Sequence, residues 1–411
     1  MATKTAPQQP LAGAAVQEKT AGPLFTPLTH PAPSSKPAPR PALTADEQEK
    51  YDWLLNQVRS WTEIPSKKSP GPITDSERFW LTRECLLRFL RATKWQPKET
   101  EKRLLETLAW RREYGVEDLT ADHISPENET GKQVILGYDK EGRVCHYLNP
   151  GRQNTDPSPR QVQHLVFMLE RVIDVMPAGQ ETLSLLINFK SSKSRSNTAP
   201  GLGLAREVLN ILQSHYPERL GRALIINGKH PHSPFLFPHT HNSILTFPRT
   251  VPWIVNGFFK LITPFIDPHT RDKLKFNEDM TQYVPREQLW TEFHGSLEFE
   301  YDHARYWPAL ILLCSERHEA RRRRWIDGGS QIGELEDYLA GQLPVGVSGS
   351  VVKEGGGEEE KKEDVEDFAA VAPPRAEEPV MTTTAEVVVV EKVPGPAVQA
   401  AAEVAPVKET V

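Results

Sequence analysis

Between residues 133 and 227, short apolar runs alternate with amphipathic helical segments, and this alternation limits the possible folds more than any other feature of the chain. QVILGYD and RVCHYLNP read as strands joined by the turn residues Asp139 to Gly142, and RQVQHLVFMLERVIDVM follows at helical spacing. LSLLINFK is a buried strand, GLAREVLNILQSHY a helix and LGRALIIN a further buried strand. Near-continuous apolar strands between helices are the pattern of a sheet covered on both faces, so an α/β unit with a mainly parallel sheet is expected.

A smaller helical unit is expected ahead of it. Thr44 and Glu47 have capping-box spacing, and Tyr51, Leu54, Leu55, Val58 and Trp61 then recur at helical intervals. After the KKSPGP break, SERFWLTRECLLRFLRATKW and PKETEKRLLETLAWRREYG read as two more amphipathic helices, the second opened by Pro97 and stopped by Gly115. At the other end, FEYDHARYWPALILL is expected to pack back onto the α/β unit, with ERHEARRRRW adding a basic cluster at Arg321 to Arg324. That cluster reads either as a solvated helix end or as a contact for acidic headgroups.

Composition separates body from ends. The residues up to about 42 are rich in Pro, Ala, Thr and Ser, and those beyond about 343 in Gly, Glu, Ala and Val, so both are expected to be disordered. Residues 351–411 hold 14 acidic and 6 basic side chains, a net of −8, which leaves +2 for the remainder of a chain whose total is −6. The body therefore has no bulk charge favouring nucleic acid. Cys85, Cys145 and Cys314 are widely spaced and odd in number, against a disulfide framework or a zinc site, and a reducing compartment is expected. No run of 18 apolar residues occurs and the N-terminal segment has no signal-peptide core, so the expectation is a cytoplasmic protein.

Residues 251 to 277 stand apart. Trp253, Ile254, Val255, Phe258, Phe259, Leu261, Ile262, Phe265 and Ile266 would make a helix apolar nearly all round, too short to span a bilayer. It is either a buried core helix or one that meets lipid at an interface. The polar stretch DPHTRDK follows at once, ahead of the strand-like KLKFN.

Familiar catalytic signatures are missing. Gly201-Leu202-Gly203 has Arg206 where a nucleotide loop needs its third glycine, and no GxSxG elbow, HExxH or Walker loop occurs. The chain is expected not to be an enzyme, and no cofactor or metal is implied. His230, His232, His239 and His241 have the composition of a metal cluster, but GKHPHSPFLFPHTHNSILTFPRT (228–250) has the marks of a retained intron. Gly228-Lys229 can be encoded with GTAAG, Ile244-Leu245-Thr246 can contain CTAAC, and Thr250-Val251 can supply a terminal CAG. The segment is a whole number of codons, and its removal leaves Ile226, Asn227, one valine and Pro252 in frame. Transcript reads are expected to skip codons 228–250, and tryptic peptides from that segment would refute the reading.

Four stretches together, LLRFLRATKW with LAWRREYG, GKQVILGYDKEGRVCHYLNPGRQNT, HYPERLGRALIIN and PFIDPHTRDKL, resemble the CRAL-TRIO lipid-binding family, and within it the fungal secretory-type phosphatidylinositol transfer proteins. The likeness covers about residues 45 to 312. It implies a CRAL-TRIO lipid-binding domain at 121–312, with a mobile gate helix at Val251 to about Ile262. Around it the expected organisation is a Pro-rich arm at 1–42, an N-terminal helical unit at 43–120, a basic helical extension at 313–342 and an acidic tail at 343–411. Trp253, Phe258, Phe259 and Ile262 would line the gate, and Leu183 and Leu185 the pocket.

The resemblance also assigns a headgroup site. Thr270 and Lys273 fall on the family's inositol-phosphate Thr and Lys, and Glu218 on the associated glutamate. The residue types suit such a headgroup, since lysine offers a point charge and threonine a hydroxyl donor to a phosphodiester, while a carboxylate accepts from inositol hydroxyls or orients the lysine. Read from the residues alone, Thr270 is rather a cap after Pro268, and Glu218 with Lys273 a surface ion pair of little energetic weight. Two positions depart from the family. Thr93 stands in LRATKW where relatives carry an arginine, and Leu183 and Leu185 replace hydroxyl residues that serve phosphatidylcholine. A drier wall disfavours phosphatidylcholine and is similar to the azole-resistance-associated subgroup, for which a sterol is the implied second ligand. The implied function is transfer of phosphatidylinositol between membranes by a monomer that binds their surfaces transiently, lipid droplets among them. A static scaffold that presents this lipid to a lipid kinase is the alternative.

Overall fold

The computed structural model describes residues 22–190, 202–226 and 272–347. The gate positions, Thr270, the 228–250 segment with its histidines, and most of the acidic tail lie outside the described residues.

The helical unit begins at α1 (Ala45–Arg59). The Thr44 N–H donates to the Glu47 carboxylate at 2.9 Å and the Glu47 N–H to the Thr44 hydroxyl at 3.2 Å, a reciprocal cap that satisfies two end groups of the helix. A short ladder of β1 (Glu63–Ile64) and β2 (Gly71–Pro72) follows. The next segment, expected as one helix, is two: α2 (Asp75–Trp80) and α3 (Arg83–Ala92). Thr82 caps α3 by accepting from the Cys85 N–H, and the backbone groups freed at the break find distant partners. The Gly333 N–H donates to the Leu81 carbonyl at 2.8 Å, and the Arg83 N–H to the Glu334 carbonyl at 2.9 Å. α4 (Pro97–Tyr114) ends as expected at Gly115, which takes the left-handed conformation at φ 72°. Leu54, Val58, Leu86, Phe89, Leu90, Leu104 and Leu108 form the core of this unit.

α5 (Ala121–Asn128) leads into the sheet. Among the described residues it is five-stranded in the order β3 (Gln133–Tyr138), β4 (Val144–Leu148), β5 (Leu183–Asn188), β6 (Leu220–Ile226) and β7 (Leu274–Phe276). β3 and β4 form an antiparallel hairpin, and every later pairing is parallel. The crossovers carry α6 (Pro159–Asp174) and α7 (Leu202–His215), as parallel pairing requires. The turn is closed by Asp139, whose side chain accepts from the Glu141 N–H at 2.8 Å and the Arg143 N–H at 2.9 Å.

β3 is an edge strand, and its outer groups are covered. The Tyr306 hydroxyl receives the Ile135 N–H at 2.7 Å and donates to the Ile135 carbonyl at 2.9 Å, while the Gln288 side chain accepts from the Tyr138 N–H at 3.0 Å. Gly137 sits at the bulge between them with φ 69°, where an added Cβ would lie 2.4 Å from the Gln288 carbonyl oxygen. Tyr306 belongs to α8 (His303–Asp327), which packs on α5 and α6 and is followed by the short α9 (Glu336–Leu339). The boundary expected between residues 312 and 313 falls inside α8.

Two expectations are corrected. Residues 22–42 are a strap laid across the folded body: Leu24 pairs with the backbone on either side of Phe299, the Lys36 N–H donates to the Lys140 carbonyl, and Arg40 bridges Glu84, Glu181 and Asp337. Its order comes from backbone bonds and from the cations Arg305, which lies over Phe25, and Arg317, which donates to the Thr29 carbonyl. Proline lowers the entropy lost on fixing such an extended segment, which a count of apolar residues misses. Deleting residues 22–42 is therefore expected to lower the thermal midpoint by several degrees, and an unchanged melt would show that the strap adds nothing. The second correction concerns Arg321 to Arg324, which is not one solvated basic face. Arg321 turns inward and donates to the Ile173 and Met176 carbonyls at the end of α6.

Candidate functional site

Parallel pairing brings two of the candidate residues, Glu218 and Lys273, together at one end of β6 and β7. Pro217 and Glu218 form the turn after α7, and Glu218 takes φ 58°, a left-handed conformation rare for a glutamate. Lys273 stands just ahead of β7, its carbonyl accepting the Ala223 N–H at 2.8 Å, so the β6–β7 ladder fixes its height. The two side chains meet at 3.9 Å, with Lys273 28 % and Glu218 42 % exposed. At that distance and exposure the pair contributes about 0–1 kcal/mol to stability, which leaves both side chains available to a ligand. Thr270, expected to complete the set, lies outside the described residues.

A further cation faces Glu218. Arg103 of α4 donates to the Ser214 carbonyl at 3.2 Å and to the Gln213 carbonyl, at the end of α7. Burial holds its pKa below the usual arginine value, with Glu99 and Glu218 acting in the opposite direction. Sequence reasoning passed over Arg103, which no local motif marks. Thr93, by contrast, closes α3: its hydroxyl lies 3.1 Å from the Phe89 carbonyl and 2.6 Å from the Thr100 hydroxyl, while Lys94 beside it is exposed.

Leu183 and Leu185 share one face of β5, Leu183 buried and Leu185 half-buried. Their neighbours across the ladder are Val144 and His146 on β4, and Leu220 and Ala223 on β6. The hydroxyl between them, Ser184, points to the other face and donates to Asp139 at 2.6 Å. The face with the leucines thus carries no β5 hydroxyl. A separate cavity of about 160 Å³ lies at the seam between the helical unit and the sheet domain, with Trp80, Arg88, Met176, Arg219 and Leu339 among its walls. It touches neither Lys273 nor the two leucines.

Among the described residues no group of His, Cys, Asp and Glu could hold a metal, and no helix is long and apolar enough to cross a membrane. Asn128-Glu129-Thr130 has the letters of a glycosylation sequon, but Asn128 is buried and hydrogen-bonded to Tyr301 and Gln133, which makes it inaccessible to glycosylation.

The comparisons with known proteins agree with this architecture. The CRAL/TRIO N-terminal domain model matches residues 50–106, and the CRAL/TRIO domain model matches residues 128–248 and 236–295. A CRAL-TRIO domain-containing protein of Schizosaccharomyces pombe is 52% identical over 302 residues, which are 73% of this chain but 28% of that protein. The phosphatidylinositol transfer protein PDR17 of Saccharomyces cerevisiae is 39% identical over 307 residues, 72% of this chain and 80% of that one. The SEC14 cytosolic factor of Candida glabrata is 26% identical over 63% of this chain and 82% of its own. With both family domains matched in order, and the 39% identical relative covered over 80% of its length, the chain belongs to the CRAL/TRIO family of fungal Sec14-like proteins.

Proposed function

We propose that the protein binds phosphatidylinositol and carries it between membranes, with Lys273 and Glu218 at the headgroup and Leu183 and Leu185 on the wall beside the acyl chains. The observation that carries this reading is the meeting of Glu218 and Lys273, which come from different crossovers and are held at one end of the sheet without a strong bond to each other. The similarity to a phosphatidylinositol transfer protein supports the same ligand. A lysine supplies the point charge for the phosphodiester, and Thr270 is proposed to add the hydroxyl donor. Moving a lipid through water exposes its chains at about 0.8 kcal/mol per methylene, a barrier that an apolar pocket lowers.

Trp253, Phe258, Phe259 and Ile262 are proposed as the gate that covers this pocket and opens at a bilayer, and a sterol as the second ligand of the dry wall. Residues 228–250 are proposed to be extra sequence ahead of this gate.

Mass spectrometry of lipid extracted from the purified full chain tests the proposal. Phosphatidylinositol is the expected main species, with sterol beside it. Phosphatidylcholine as the main species would overturn the role given to Leu183 and Leu185, and the absence of any lipid would overturn the function.

A further inference from the structure

The face of the sheet that carries Leu185 also carries a buried polar array that the headgroup site does not use. Cross-strand register places Ile135, His146, Leu185, Ala223 and Leu274 in one row, and Gln133 two residues before Ile135 shares its face. The His146 Nε2 lies 3.0 Å from the Gln133 Oε1, and the Gln133 Nε2 lies 3.3 Å from Nδ1 of His164 on α6. Gln133 thus bridges the two rings. His146 is 2 % and His164 1 % exposed, and the far nitrogen of each, His146 Nδ1 and His164 Nε2, is buried without a hydrogen-bond partner.

Proton bookkeeping across the bridge leaves a definite remainder. With the amide oxygen toward His146, that ring donates through Nε2 and its Nδ1 is a bare acceptor. The amide nitrogen then donates to His164 Nδ1, so His164 Nε2 carries a hydrogen with nowhere to go. Turning the amide over exchanges the two roles and still leaves one donor and one acceptor. Buried polar groups are almost always hydrogen-bonded, and an unpaired donor and acceptor on a largely apolar face favour a ligand that supplies the missing partners.

We propose that His146 and His164, set by Gln133, form a neutral polar subsite for the hydroxyl of an otherwise apolar ligand of the sterol class. A hydroxyl can either donate or accept, so it suits whichever of the two unpaired nitrogens it meets. Neither ring brings a positive charge to attract an anionic headgroup: burial pushes His146 down to about 4 and His164 well below the usual histidine range, Lys132 adding to the latter. The Lys132 ammonium itself is engaged by Glu127. The proposal rests on the lipid-binding reading above and adds to it the residues that select the second ligand.

The test compares a fluorescent sterol bearing a free hydroxyl with the same sterol capped as its methyl ether, on the purified full chain, with phosphatidylinositol binding measured in parallel. A site built to bond a hydroxyl discriminates against an analogue that cannot fill both roles. The free sterol is expected to bind about tenfold more tightly than the ether, equivalent to about 1.4 kcal/mol. His164→Phe and His146→Phe are expected to remove that preference and leave phosphatidylinositol affinity within about twofold, and His164→Gln to restore part of it. Equal binding of free and capped sterol by the unaltered chain would overturn the proposal without any variant having to fold. So would equal loss of both sterols in the phenylalanine variants, which would mean packing alone. A chain that binds phosphatidylinositol but no sterol sinks this inference only, whereas one that binds neither sinks the lipid-binding function itself.

Discussion

Replacing Lys273 with alanine is expected to lower phosphatidylinositol transfer at least tenfold while the protein folds as before. A charge-assisted bond to a phosphate contributes more than a neutral one, and no other described side chain stands in the same place on the β6–β7 ladder. The fold does not depend on it: with Glu218 3.9 Å away and 42 % exposed, the ion pair is worth at most about 1 kcal/mol, so the melting midpoint should move by less than about 4 °C. Transfer assayed between labelled and acceptor vesicles, with a thermal melt of the same sample, checks both halves. Unchanged transfer would remove Lys273 from the headgroup site. A large fall in the midpoint would make it a structural residue instead.

The largest stability effect is expected at Glu170. This carboxylate of α6 receives Arg111 at 2.8 and 3.3 Å and the Tyr216 hydroxyl at 2.6 Å, and Arg111, buried over Trp80, ties α4 to the sheet domain. Removing one partner of a buried pair leaves the other charge uncompensated, so Glu170→Ala should cost about 3–5 kcal/mol in urea unfolding. Arg111 also holds Glu117, but that side chain is 60 % exposed, and Glu117→Ala should cost less than about 1 kcal/mol. Equal losses in the two variants would refute the assignment. The same pair predicts an acid limb. Burial would raise the Glu170 pKa, but Arg111 and Tyr216 outweigh it and hold the carboxyl at about 2 against an ordinary value of 4.5. Its contribution is complete above pH 4.5 and is lost as the pH falls through about 2, a limb that Glu170→Gln should flatten.

Where local pattern decides structure, the chain could be read directly. The apolar runs became β3 to β6 because strands covered on both faces need continuous apolar sequence, and Thr44 and Gly115 mark helix ends through side-chain or backbone chemistry within a few residues. The break at Leu81 was not legible, because the groups that satisfy it, Gly333 and Glu334, lie some 250 positions away. Nor was the direction of Arg321, since a helix end reads the same whether a side chain turns to water or to the carbonyls of α6. At the site, Glu218 and Lys273 could be paired only through the family likeness, as neither spacing nor composition relates them. The histidine array is the extreme case: His146 and His164 lie 13 and 31 positions beyond Gln133 and converge on it only after the hairpin and α6 have formed.

The strap and the break between α2 and α3 bear on the order of events during synthesis. Arg40 waits for Asp337, Leu81 for Gly333, and Thr82 for Glu336, so the earliest part of the body takes its last partners from the latest. Domains ordinarily fold from the N-terminus as they leave the ribosome, but here the helical unit stays incomplete until residues near 337 have emerged. A nascent chain halted near residue 312 would thus expose the Leu81 carbonyl and the acidic cluster that Arg40 bridges. Arrest at that length should leave the N-terminal helices open to protease, and arrest beyond the last described residues should close them.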